Sequence, residues 1–146
     1  MSSVLNSSSD HIVALYCSDY AFNRSINAVD IRNGAALHDV SIIGLACEIA
    51  RLEFLMVDSA PCLSSLSLKW MIQHCLHIQH ISLCGNRLKE GIGRITMRKL
   101  DRLLSADPRC AKKLHTLVLV DQPVDVKSAQ ACRQLRPDWM IALGQH

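Results

Sequence analysis

Only six of the 146 residues are aromatic: two Trp, two Tyr and two Phe. So few rings exclude a platform on which nucleic-acid bases stack, and equally a fold packed around large ring systems. Long apolar runs are also missing. The most apolar stretch, residues 40–50, contains Glu48 and is too short for a transmembrane helix. No CxxC pair occurs among the seven cysteines, at 17, 47, 62, 75, 84, 110 and 132, and their number is odd. Residues 1–10 are polar, with neither a secretory pattern nor the Arg-rich amphipathic character of a mitochondrial presequence. The cysteines are therefore expected as free thiols in a reducing intracellular compartment, mostly buried as small hydrophobic side chains.

Aliphatic residues take the place of the rings. The chain has 20 Leu and 12 Ile, with a net charge of only +3, which excludes disorder. Its length suits one domain. The aliphatics recur on the template LxxLxLxxNxL. Ile78, Ile81, Leu83, Asn86 and Leu88 fill every position; Leu52, Leu55, Val57, Ala60 and Cys62 fit with a small residue at the Asn position, as do Ile26, Val29, Ile31, Gly34 and Ala36. Starts at 26, 52 and 78 are spaced evenly by 26 residues. A fourth unit, with Leu114, Leu117, Leu119, Gln122 and Val124, follows after about ten extra residues, and an earlier one starts at Ile12 and ends near Phe22. An alternating segment, Trp139, Ile141 and Leu143, closes the array.

The physical reading is direct. Each LxL segment is a short strand with alternate aliphatics pointing inward. The chain turns at the Asn or small residue and returns through a helix, and neighbouring units must stack because none can bury its own apolar face. The return segments carry the required stripes: Leu37, Ile42, Leu45, Cys47 and Ile49; then Leu68, Met71, Ile72, Cys75 and Leu76; then Ala129, Cys132 and Leu135, with Pro137 as the stop.

These units resemble the leucine-rich-repeat superfamily, over residues 12–143. The 26-residue period is similar to its cysteine-containing class, found in F-box leucine-rich-repeat proteins, and the Leu37-His38-Asp39 turn resembles that class's Ile-Thr-Asp signature. The resemblance implies an α/β fold: a short right-handed solenoid with a curved parallel sheet of about six strands and helices on the convex side. Residues 117–143 are also similar to the end of the small repeat proteins grouped with mitochondrial ATP synthase coupling factor B and complex I assembly factors. That likeness implies an accessory subunit of a mitochondrial complex. Only eleven residues precede the first unit, too few for an F-box, so a ubiquitin-ligase role would need the F-box from another chain.

In such an array the strand positions that do not point inward line one open face. They are Tyr16, Asp30, Arg32, Phe54, Met56, Asp58, His80, Ser82 and Val118, with Cys84 and Thr116 among them. Apolar residues ringed by polar ones mark a protein-binding surface. The second feature is charge. Residues 87–113 hold nine Lys or Arg and three acids, a net +6, so the rest sums to −3. Arg94, Arg98 and Arg102 fall at i, i+4 and i+8 of an amphipathic helix within a basic insertion at about 89–112, with Met97, Leu100 and Leu104 opposite. This stripe is a candidate contact for an acidic protein surface or anionic lipid; without interleaved aromatics, nucleic acid is not expected.

Other chemistries find little support. His74, Cys75, His77, His80 and Cys84 cluster in sequence, but the repeat puts Cys75 on a helix stripe and His80 and Cys84 on the strand face, so no metal site is expected. Gly91 and Gly93 lack the third Gly and the Lys-Ser/Thr pair of a phosphate loop and instead let the insertion leave the stack. His80 and Cys84 lie roughly 13 Å apart along one strand, too far for a nucleophile and its base. The sequence thus predicts a polar tail at 1–11 and one repeat domain at 12–146. Its expected role is a non-enzymatic protein-interaction scaffold without cofactor, an accessory or assembly subunit of a larger complex. The alternative is a substrate-recognition module of a ubiquitin ligase, with an enzyme or nucleic-acid binder third. The resemblance favours the mitochondrion over the cytoplasm.

Overall fold

A computed structural model describes residues 3–7, by their backbone path, and 26–144. The chain is α/β. Six strands, β1 (Ser3–Ser7), β2 (Ile26–Ile31), β3 (Phe54–Val57), β4 (His80–Leu83), β5 (Thr116–Val120) and β6 (Met140–Gly144), form one open sheet in the order of the chain. Every neighbouring pair is parallel. Parallel neighbours need a crossover between them. From β2 to β6 four described helices supply it: α1 (Asp39–Glu48), α2 (Ser65–His74), α3 (Arg98–Ala106) and α4 (Val126–Leu135). They pack on one another in sequence and cover one face of the sheet.

The strand pattern explains the layering. Inward positions Val29, Ile31, Leu55, Val57, Ile81, Leu83, Leu117 and Leu119 are essentially inaccessible, while their neighbours stay half-exposed or hold small side chains. From the helices, Ile42, Leu45, Leu68, Met71, Ile72, Leu100, Leu104, Ala129 and Cys132 join them in one continuous core. Apolar burial of this kind contributes about 25 cal/mol per Å².

Polar side chains fix where the helices begin. Ser64 caps α2 by accepting from the Leu66 N–H, and Asp125 caps α4 by accepting from the Ser128 N–H at 2.8 Å. The α1 start has no such cap. Its Asp39 reaches into the next unit instead, accepting from Ser64 N (2.8 Å), Ser64 Oγ (2.5 Å) and Ser67 Oγ (2.6 Å). Ser65 continues the link: its hydroxyl donates to the Thr96 carbonyl and accepts from the Thr96 N–H, both at 2.9 Å. Arg98 and Asp125 close it at 3.6 Å. A polar ladder thus ties the four helix starts together.

Several expectations need correction. The segment expected as a polar tail contains β1, which pairs with β2 from Ser3↔Ile26 to Ser7↔Ile31. Backbone hydrogen bonds along an open strand edge do not require the apolar template, so the template could not find it. The expected unit at 12–22, with Tyr16, lies outside the described residues.

The last template position is also wrong. Leu88 is 82% exposed and Ala36 is exposed, while Leu37 and Leu63, one residue further on, are fully buried. In the third unit the chain leaves the stack at Asn86, whose carbonyl accepts from the N–H groups of Lys89, Glu90 and Gly91, and Ile95 fills the inward place. Cys47 and Leu76 leave the helix stripes and are exposed, because α1 buries Ala46 in place of Cys47 and α2 ends at His74. Finally, the basic helix is no insertion. It is the crossover that β4 and β5 require, and the extra residues divide between the loops before and after it.

Candidate functional site

The register of the sheet builds the open face row by row. Ala28, Phe54, His80, Thr116 and Met140 stand side by side across β2 to β6, and Asp30, Met56, Ser82, Val118 and Ala142 form the next row. Arg32, Asp58, Cys84 and Val120 follow at the strand ends. The face therefore brings together every expected strand-face residue within the described part. A shallow depression of ≈ 430 Å³ lies in its middle, between Asp30, Met56, His80, Ser82 and Val118.

Small side chains sink between larger ones: Ala28, Cys84 and Thr116 are buried on this face. Phe54 and His80 present tilted rings with centroids 6.5 Å apart. Partial burial, and then the nearby His115, push the His80 imidazole below its ordinary value, which favours its neutral form. The Cys84 thiol lies 3.4 Å from the Ser82 hydroxyl. Charge is confined to one corner, where Arg32 pairs with Asp30 at 3.0 Å and Asp58 bonds the Ser59 N–H. The β4 to β6 side of the face has no charged side chain among Ser82, Val118, Ala142 and Met140. The face is thus apolar and neutral at its centre and acidic at one rim.

The basic stripe does not form as expected. Arg98 and Arg102 lie on α3, but Arg94 sits in the preceding loop, where its backbone bridges to Ser64. The helix starts only at Arg98 because residues 91–97 form a non-helical loop that places Ile95 and Met97 in the core. Arg98 is committed to Asp125, whereas Arg102 lines a ≈ 440 Å³ groove between α2 and α3 with Lys69 and Lys99. Sequence spacing could not find Lys69, because it comes from the neighbouring unit.

Gly91 has a positive φ of 99°, as expected for a chain leaving the stack. Gly93 leaves room for the Gln122 amide: a Cβ there would come 2.0 Å from its oxygen and displace it. That amide donates to the Leu83 carbonyl and accepts from the Ile95 N–H, tying the extra loop to β4 and β5. Arg136, not anticipated from the sequence, is the buried cation among the described residues. It forms two bonds to Asp138 (3.0 and 2.8 Å), donates to the carbonyls of Cys110 and Ala111, and lies 4.4 Å above the Trp139 ring.

Of the described cysteines, Cys84 and Cys132 are buried, Cys62, Cys75 and Cys110 half-buried, and Cys47 exposed, so fewer are buried than expected. Burial, followed by the charge of nearby groups, pushes Cys132 up to about 12 and Cys75 up to about 11. Among the described residues no group of three or more His, Cys, Asp or Glu could hold a metal ion, and no helix is long and apolar enough to cross a membrane. No family model matches the chain, and no curated protein or solved structure is significantly similar to it.

Proposed function

We propose that this chain is a non-enzymatic, leucine-rich-repeat-type solenoid that holds a partner protein against its strand face. It serves as an accessory or assembly subunit of a larger complex, in the narrower version a mitochondrial respiratory or ATP synthase complex. One observation supports this reading most: the in-register row of Met56, Ser82, Val118 and Ala142, with Phe54 beside it and Asp30 at its end, offers an uncharged, partly apolar surface on a hydrogen-bonded sheet. Such a centre suits desolvation by a partner's aromatic or aliphatic anchor, and the Asp30–Asp58 corner suits a cation at the partner's rim. The non-catalytic reading is supported by the His and Cys of the face, since the His80 ring lies tilted beside Phe54 and Cys84 is buried beside Ser82.

The test is affinity capture in mild detergent with the wild-type chain and Met56→Glu. The reading predicts recovery of respiratory or ATP synthase subunits by the wild type and a loss of about thirtyfold in affinity with the variant, as for a central anchor. Recovery of ubiquitin-ligase subunits instead would favour the alternative. Equal recovery by both proteins would remove the strand face from consideration.

A further inference from the structure

We propose that the groove between α2 and α3 docks an acidic amphipathic helix of a partner protein, a contact independent of the strand face. Two stripes frame this groove. On α2, Leu66 and Lys69 stand at i and i+3; on α3, Lys99, Arg102, Leu103 and Ala106 stand at i, i+3, i+4 and i+7. The opening has a volume of ≈ 440 Å³. An i to i+7 stripe extends about 10 Å along a helix, which matches two turns of a docking partner.

Charge complementarity sets the sign of the occupant. No carboxylate lines the groove. None of Lys69, Lys99 and Arg102 has an ion pair among the described residues, whereas Arg32, Arg98 and Arg136 are each paired with an aspartate. Three uncommitted cations around exposed Leu66 ask for carboxylates flanking an aliphatic stripe. A lipid surface fits less well. An interfacial helix must insert its apolar face into the bilayer. Of the apolar residues of α3, Leu100 and Leu104 are already buried in the core, with Met97 beside them, and the half-buried Leu103 faces the groove. A groove between two helices, moreover, fits a rod and not a plane.

The test is fluorescence anisotropy on the full chain with a labelled designed peptide, Leu at i, i+3, i+4 and i+7 and Glu elsewhere. Its Lys counterpart and vesicles of phosphatidylcholine with phosphatidylglycerol serve as comparisons. Expected are binding of the Glu peptide, none of the Lys peptide, and about a tenfold or greater weakening by Lys99→Glu with Arg102→Glu. Leu66→Ser should weaken binding as well. Lys99→Gln with Arg102→Gln, which removes the charges while keeping polar side chains, should act in the same direction with the circular dichroism spectrum intact. Arg94→Glu and Met56→Glu should leave the peptide affinity unchanged, which separates this groove from general basicity and from the strand face. Failure of the Glu peptide to bind, equal loss with Arg94→Glu, or vesicle binding that disappears with Lys99→Glu and Arg102→Glu would overturn the proposal.

Discussion

A guanidinium loses its water when buried, and Arg136, only 6% exposed, replaces that water with the Asp138 carboxylate, two carbonyls and the Trp139 face. Arg136→Ala should lower stability by about 2–3 kcal/mol in urea unfolding, because the carbonyls of Cys110 and Ala111 lose their donor; Asp138, 55% exposed, is left hydrated and adds little. Asp39 makes a pH prediction. Burial alone would raise its carboxyl, but the bonds from Ser64 and Ser67 outweigh this and hold it below its ordinary value of 3.8. A depressed carboxyl contributes its stability fully above the ordinary range and loses it as pH falls through the folded value. The urea midpoint should therefore fall on acidification below about pH 4, and Asp39→Asn should make that fall shallower. Thiol reactivity follows burial: iodoacetamide at neutral pH, mapped by mass spectrometry, should label Cys47 and spare Cys132 until the chain is unfolded.

At the scale of elements, two glycines give opposite predictions. Gly44 lies within α1 with open space around its missing Cβ, so Gly44→Ala should stabilise by roughly 0.5–1 kcal/mol. A Cβ on Gly85 would come 2.6 Å from the Asp121 carbonyl and 2.8 Å from the Gly93 nitrogen, both backbone atoms, so Gly85→Ala should cost about 1–3 kcal/mol. Thermal melts of the two variants should move in opposite directions. The strands from β2 to β6 were legible in the sequence, because alternating aliphatics at a fixed spacing admit one inward set. The strand β1 was not, since edge pairing uses backbone groups that any short extended segment provides. Leu88 was misplaced because an apolar side chain in a template does not reveal that the backbone has already turned outward at Asn86. The ladder through Asp39, Ser64 and Ser67 was equally hidden, since serines separated by 25 and 28 residues show no pattern until the units are stacked.

Across the whole molecule, the two surfaces differ in how far the sequence revealed them. The strand-face rows follow from period two and register, so Asp30, Phe54, Met56, Asp58, His80, Ser82 and Val118 could be named in advance. The basic patch could not, because one of its cations comes from α2 and because Arg98 is held by Asp125, which lies beyond it in the chain. Together the surfaces give the molecule a strand face with an uncharged centre on one side of the sheet and a cationic groove between helices on the other. The central claim, that the strand face carries the partner, is tested most directly by site-specific photo-crosslinking. A photoreactive amino acid placed at Met56 should give a discrete adduct with the partner, while the same group at Val40 or Val126, both exposed at helix starts, should give none. Adducts from Val40 or Val126 and none from Met56 would contradict the account.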